Sequence, residues 1–467
     1  MIPQTRLIPL IIASALFMEN MDQTVIATSL PAMAKDLGTD PIVLKLAFTT
    51  YLLSLTVFIP ISGWLADRLG ARQVFRAAIA VFTIGSIACG LSSSLGWLVA
   101  SRAVQGIGGA MMVPVGRIIL LRSIPKSQLV DALAWLTIPA LLGPLLGPPI
   151  GGLITDTVGW RWIFWMNLPF GLIAMGLATV LMPDTQADVA PRLDLRGFLL
   201  SGIGLSSLIF GFTVLGRDLL PDYLPLALIV FGLAVCGLYV LHARRVTAPI
   251  LDLRLLRVET FRAGVIGGSL FRLGVGAVPF LLPLMFQLGY HLTAFQSGMI
   301  TCMAAAGAIS MKFGAARMIR RFGFRRLLLV NGAAAAMSIA IMGLLSDTLP
   351  FALLATALFA GGFLRSLQFT AMNAMSYSDM SSEQMSSATA LYTVAQQLSL
   401  SAGVVLAAFV LESAQWWRGE TALHPPDFTV AFMVVSAFSL ASLWQFRGLA
   451  ADAGASVSGK TSRPLHE

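Results

Sequence analysis

Val43 to Ser93 reads VLKLAFTTYLLSLTVFIPISGWLADRLGARQVFRAAIAVFTIGSIACGLSS: an apolar run, a short turn carrying Asp67, Arg68, Arg72 and Arg76, and a second apolar run. Each run is about 20 residues long, enough at roughly 1.5 Å per residue to cross the ~30 Å hydrocarbon core of a bilayer. The turn is basic and short, so the pair reads as a hairpin of membrane-spanning helices whose turn lies in the cytoplasm. Outward from this hairpin the alternation fills the chain. Apolar runs fall near 8–30, 43–65, 74–93, 96–119, 128–154, 162–182, 196–215, 223–242, 261–285, 296–316, 326–346, 350–373, 386–411 and 428–448, which makes fourteen spans. The expected fold class is an all-α polytopic membrane protein.

Composition agrees. Of 467 residues 11% are charged and 57% hydrophobic, with mean hydropathy +0.82, whereas a soluble domain has roughly 25% charged and 45–50% apolar residues. This excludes a cytosolic globular enzyme. The net charge of +9 sits in short segments between spans, as a topology signal does, and gives no footprint for nucleic acid. Cys89, Cys236 and Cys302 lie in separate apolar runs and the four histidines are scattered, so neither a disulfide framework nor a metal site is expected. Arg6 before the first run imitates a signal peptide. Glu19 and Asp22 interrupt that run and no small-residue cleavage site follows, so it is read as a retained helix.

Sorted by side, 22 Lys and Arg fall on one face of the membrane, among them Arg68, Arg72, Arg122, Arg244, Arg320 and Arg325, against five on the other: Lys35, Lys45, Arg161, Arg217 and Arg418. The positive-inside rule then puts both termini in the cytoplasm. The longest connections, 183–195, 243–260 and 412–427, hold no catalytic domain, and the polar tail 449–467 is expected to be disordered. Ala248 to Phe261 mixes Leu with Arg and reads either as a helix lying on the inner leaflet or as a plain linker.

The turn repeats. Gly63-Trp-Leu-Ala-Asp67-Arg68-Leu-Gly70-Ala-Arg72 has a weaker echo 253 residues later, where Arg321, Gly323 and Arg325 stand for Arg68, Gly70 and Arg72, and Arg320 replaces the acid. Two such turns predict parallel six-helix halves, 1–182 and 246–448, with an inserted helix pair in 183–245. A glycine-bounded turn lets two helices meet closely, and Asp67 with Arg68 and Arg72 can hold neighbouring helix ends by charge-assisted bonds or simply fix topology.

This turn resembles the cytoplasmic signature of the major facilitator superfamily, and four further stretches agree. Leu98-Val-Ala-Ser-Arg102-Ala-Val-Gln105-Gly106 is similar to its fourth-helix motif. Gly143-Pro144-Leu-Leu-Gly147-Pro148-Pro149-Ile-Gly151-Gly152 is similar to the fifth-helix motif of antiporters. Asp22-Gln-Thr24 through Leu30-Pro31, and Trp160-Arg-Trp162 through Asn167-Leu-Pro169, resemble the fourteen-span drug/proton antiporters, although Ala27 stands where that pattern carries Asn and Glu19 adds an acid. Gly106 to Arg117 and Gln368 to Asn373 resemble bacterial MdtD-type or HsrA-type multidrug exporters. The resemblance implies two six-helix bundles plus two inserted helices, and proton-coupled export of a small molecule across a bacterial inner membrane by a monomer in contact with lipid. It implies no cofactor beyond the proton gradient. An exporter of a metabolite or organic anion, and a receptor or scaffold, stay open.

Intramembrane charge supplies candidate site residues. A mid-helix carboxylate costs about 2.5–3.5 kcal/mol on insertion scales, so Glu19 and Asp22 are expected to face a partner or a path. Their i, i+3 spacing puts them on nearly one face, and burial together with mutual repulsion suits such a pair to loading and releasing a proton near neutral pH. Either can instead be structural. Arg102, Gln105, Arg272 and Arg365 are candidate substrate-path residues, since the first and fourth helices of each half line that path in the superfamily; pairing with an acid is the alternative for Arg272 and Arg365. All ionised, the three arginines and two acids leave +1, which argues against a purely cation-selecting site. Lys312 sits at a span end, where it can snorkel to the interface. Gly143, Gly147 and Gly151 form a smooth strip for close packing, while Pro144, Pro148 and Pro149 remove backbone donors; together with Gly152 they suit a pivot helix. Phe17, Phe271, Phe369, Gln368, Asn373, Gln396 and Gln397 are candidates for an adaptable amphipathic lining or for ordinary packing. No GxxxxGK[ST] nucleotide site is present.

Overall fold

The structure, a computed structural model, describes residues 4–124, 129–183, 193–215, 221, 223–381, 384–420, 422–450 and 453–454, and these are helical with no strand among them. The helices are α1 (Gln4–Leu37), α2 (Lys45–Leu69), α3 (Ala71–Gly90), α4 (Leu95–Ser123), α5 (Leu129–Thr157), α6 (Trp162–Leu181), α7 (Leu195–Val214) and α8 (Tyr223–Arg245). There follow α9 (Glu259–Gly289), α10 (Ala294–Lys312), α11 (Phe324–Met342), α12 (Phe351–Ser376), α13 (Met385–Arg418) and α14 (Pro425–Arg447). Every expected span meets one of them. Among the described residues thirteen are long and apolar enough to cross a membrane, and the expected span 128–154 falls on the 29-residue α5. Helices are what the sequence demands here, because a bilayer offers no water to backbone N–H and C=O groups. Most of the tail 449–467, and 184–192 of the first long connection, lie outside the described residues.

The chain divides into two compact units, Met1–Leu251 with Thr293–Gly298, and Asp252–Leu292 with Met299–Glu467. Within the first, α1 packs on α5 and α6, α4 on α2 and α3, and α3 on α6; α7 pairs with α8 and rests on α2. Within the second the pattern recurs: α9 packs on α13 and α14, α11 on α12 and α14, and α10 meets α12 where Gly362 faces the Ala304 carbonyl. The two signature turns are also alike. Gly70 alone separates α2 from α3 at φ 91°, and Gly323 alone separates the short helix Ala315–Phe322 from α11 at φ 74°; this left-handed backbone suits only glycine without strain. Two residues on, Arg72 donates to the Thr179 carbonyl of α6, and Arg325 donates to the Arg447 carbonyl at the end of α14.

Of the segment Ala248 to Phe261, the part before Glu259 is a connection with a short 3-10 turn at Leu253–Arg257, and Glu259 opens α9. Leu251 and Leu255 are buried against protein, and Tyr239 clasps Leu251, its hydroxyl donating to the carbonyl and accepting from the N–H. Beside this clasp Asp194 caps α7, accepting from Gly197 N–H at 2.9 Å, from Ile250 N–H, and pairing with His242 Nε2 at 2.8 Å. Burial opposes ionisation of Asp194, but these bonds outweigh it and hold the carboxyl below the usual carboxylate range.

Candidate functional site

Asp22 and Glu19 share a helix and differ in company. Asp22, 3% exposed, is ringed by three donors from two other helices. Arg102 Nη1 of α4 donates to Oδ2 at 2.5 Å, Gln105 Nε2 to Oδ1 at 2.8 Å, and Asn167 Nδ2 of α6 to Oδ1 at 2.9 Å. The donors are themselves tied together: Arg102 to Gln105 Oε1 at 2.6 Å, and both amides to Ser86 Oγ of α3 at 2.6 and 3.1 Å. The Arg102 guanidinium lies over the Tyr51 ring, 4.2 Å from its centroid, and its Nε reaches the Ala47 carbonyl of α2. This is a closed polar knot joining α1, α2, α3, α4 and α6 in an apolar interior, where every satisfied group makes the next one cheaper to bury.

Glu19, one turn earlier and 5% exposed, lacks such a ring. Oε1 accepts from Gln23 Nε2 at 3.4 Å, Oε2 has no hydrogen-bond partner, and no cation pairs with it among the described residues. A proton arriving at Asp22 competes with a guanidinium and two amide donors, whereas at Glu19 it meets an oxygen with no hydrogen-bond partner.

The glycine strip of α5 faces α1. A Cβ on Gly143, Gly147 or Gly151 would come within 2.9 Å of Asn20, 2.0 Å of Thr24 and 2.8 Å of Val25 respectively. The helix runs unbroken through Pro144, Pro148 and Pro149. Gly152 lies on another face, where a Cβ would be 2.3 Å from the Ala294 carbonyl; nearby Asp156 Oδ2 accepts from Phe295 N–H at 2.8 Å, and a Cβ on Gly298 would be 2.1 Å from the Pro148 carbonyl. At the signature turn Asp67 pairs with Arg122 of α4 at 2.6 Å, Arg68 stacks on Trp64, and Gly63 meets Ile118.

In the second unit Arg272 of α9 is fully buried and Arg365 of α12 is 7% exposed, and neither meets a carboxylate among the described residues. Arg272 donates from Nη2 to the Tyr392 hydroxyl and stacks on Tyr392 and Phe369, while Nε and Nη1 have no acceptor. Arg365 reaches the Met342 sulfur at 3.7 Å, its one hydrogen-bond partner among the described residues. Lys312 is exposed and donates to Thr370. No cluster of metal-ligating side chains occurs among the described residues.

Paired bundles with matching turns, a polar knot on the motif residues and a glycine-faced fifth helix are what the comparisons then place. Residues 12–404 match the Major Facilitator Superfamily. The chain belongs to the major facilitator superfamily. Relatives named "Putative multidrug resistance protein MdtD" in Salmonella heidelberg and Salmonella typhimurium are each 36% identical over 407 residues, covering 86% of this chain and 85% of theirs. The fold is similar to that of a peptide transporter solved in complex with sulfate (TM-score 0.71, 14% identity, 95% of this chain and 93% of that one). It is also similar to a D-xylose–proton symporter (TM-score 0.67, 15% identity, 96% and 98%). This superfamily member is therefore a multi-pass membrane transporter, and its relatives are transporters rather than enzymes.

Sequence reasoning placed Asp22, Arg102 and Gln105 along one path but did not bond them to each other; it quoted Asn167 only within a motif and passed over Ser86, Tyr51 and Tyr392. Asn167 carried a signal, being an amide in an otherwise apolar span. Ser86, Tyr51 and Tyr392 carried none, because Ser and Tyr are unremarkable in such helices. Of the amphipathic candidates, Gln368 is engaged by Asn331 and the Leu328 carbonyl, and Phe17 stacks on Phe170. Phe271 and Phe369 stack on each other.

Proposed function

We propose that the chain exports small amphipathic compounds across a bacterial inner membrane in exchange for protons, by alternating access, with both termini in the cytoplasm. The observation that supports it most is the division between the two acids of α1: Asp22 is held by Arg102, Gln105 and Asn167, while Glu19 Oε2 is buried and unpartnered. Asp22 is then the structural acid and Glu19 the proton carrier. A proton entering across 100 mV contributes about 2.3 kcal/mol, to which a pH gradient adds. The names of the relatives support drugs as the cargo class. In everted vesicles under an imposed pH gradient, uptake of ethidium by the wild type should collapse with an uncoupler, and Glu19→Gln should abolish the proton-driven part while leaving downhill flux. Wild-type coupling in Glu19→Gln would remove Glu19 from the mechanism, and no gradient-dependent uptake of any cationic, neutral or anionic compound would end the reading.

A further inference from the structure

We infer that Arg272 is the recognition point for the carboxylate of an aromatic, amphipathic anion, so that the cargo class of the transporter includes organic anions; this rests on the transporter reading above. A guanidinium taken out of water normally sits against a carboxylate, as Arg102 does with Asp22. Arg272 is buried as Arg102 is, and no carboxylate meets it among the described residues. Its Nε and Nη1 are buried donors without acceptors, and among the described residues its hydrogen-bond partner is the neutral Tyr392 hydroxyl. One of the two buried arginines described in the second unit therefore carries a whole positive charge and two free donors, the complement of a carboxylate.

The walls indicate what the carboxylate is attached to. The guanidinium lies 4.6 Å from the Tyr392 ring centroid and 5.5 Å from that of Phe369. Tyr392 in turn packs on Tyr377 at 5.4 Å and Phe261 at 6.5 Å, and Phe369 on Phe271 at 6.1 Å. Such rings attract both the cation and a flat aromatic solute. Phe369 and Tyr377 are only half-buried, so a rotamer change at Phe369 uncovers the guanidinium. Arg365 stands one helical turn before Phe369 on α12 and adds a second charge without a carboxylate. Among the described residues no acid of the second unit pairs with either one.

The test uses the purified full chain in lipid nanodiscs with three probes that share one ring: 2-naphthoate, 2-naphthamide and 2-naphthylmethylammonium. Naphthoate should bind saturably and about 10- to 100-fold more tightly than the amide, the worth of a charge-assisted hydrogen bond. Arg272→Gln should bring naphthoate down to the amide's affinity and leave the amide unchanged, with Arg272→Lys between. If Arg272→Gln does not elute as folded protein, Tyr392→Phe serves: it frees Nη2, so naphthoate should tighten while the amide does not move. Equal binding of the three probes, a preference that survives Arg272→Gln, or no change of naphthoate affinity in Tyr392→Phe overturns the inference. Displacement of naphthoate by millimolar chloride, without gradient-driven naphthoate flux, would assign the charge to an inorganic anion and also overturn it. Proton-driven ethidium flux with no naphthoate preference would refute this inference and leave the transport reading intact. Arg272-dependent naphthoate binding with no gradient-driven flux of any probe would do the opposite.

Discussion

Asp22→Asn separates the two acids of α1 by stability as well as by transport. The substitution keeps the shape of the side chain but removes the charge that Arg102 faces at 2.5 Å with both groups 1% exposed, and puts an amide among donors from Gln105 and Asn167. Removing one partner of a buried pair costs about 3–5 kcal/mol, because the other charge stays in the interior. Each lost interhelical hydrogen bond adds roughly 0.6 kcal/mol in a membrane protein. The folding equilibrium should then fall by about three orders of magnitude or somewhat more. Glu19→Gln should move it by less than about 1 kcal/mol, since Glu19 gives up one long bond to Gln23 and no ion pair. Replacing the pair together, Asp22→Asn with Arg102→Met, should recover most of the loss, because no unpaired charge remains. Reversible SDS unfolding of the purified protein, followed by tryptophan fluorescence, reads all four. An Asp22→Asn protein as stable as the wild type, or a double variant no better than the single, would refute the claim that the knot is a structural fastening.

Gly147→Ala should loosen α1 from α5 and destabilise by about 1–3 kcal/mol, the usual cost of overpacking, because its Cβ would lie 2.0 Å from Thr24 Oγ1; Thr24→Ala in the same chain should restore part of the folded yield in detergent. Asp67→Asn should leave unfolding within about 1 kcal/mol of wild type, the exposed pair with Arg122 being worth little, yet slow the initial rate of efflux; unchanged efflux would reduce the turn to a topology signal. Asp194 has a lowered carboxyl, so the stability it lends is present above the ordinary carboxylate range and is lost as pH falls through its depressed value. At neutral pH the clasp should be closed in the wild type, and Asp194→Asn should speed amide exchange at Gly197 and Ile250 without acidification.

The fold was legible because each span announces itself by length and apolarity, and the signature turn by glycine and arginine at fixed spacing. Arg321, Gly323 and Arg325 showed the repeat even with the acid missing, since the backbone at Gly323 needs glycine whatever the charges do. The site was legible only as an inventory. That Asp22 has three donors from α4 and α6 and Glu19 a single long one depends on how the helices are turned about their axes, and an i, i+3 spacing does not encode that. The same holds for Arg102 against Arg272: two arginines alike in sequence context, one neutralised by an acid 80 positions away and one facing rings. The Ala248–Phe261 segment was ambiguous because an apolar-basic pattern fits either a lipid surface or a protein surface.

The inserted pair bears on how the chain is made. Between α7 and α8, a Cβ at Gly204 would come within 2.8 Å of Cys236 Sγ, one at Gly232 within 2.7 Å of the Leu208 nitrogen, and one at Gly211 within 2.9 Å of Ile229. Glycines on both helices let the pair approach closely, and 28% of the apolar window of α8 is buried within the protein. Such a hairpin can leave the translocon already formed. Asp194 must then wait for Ile250, and Tyr239 for Leu251, the last residues of the first unit's continuous stretch to emerge. Closure of the clasp therefore follows formation of the pair, and fastens α7 and α8 to the stretch of chain that comes after them.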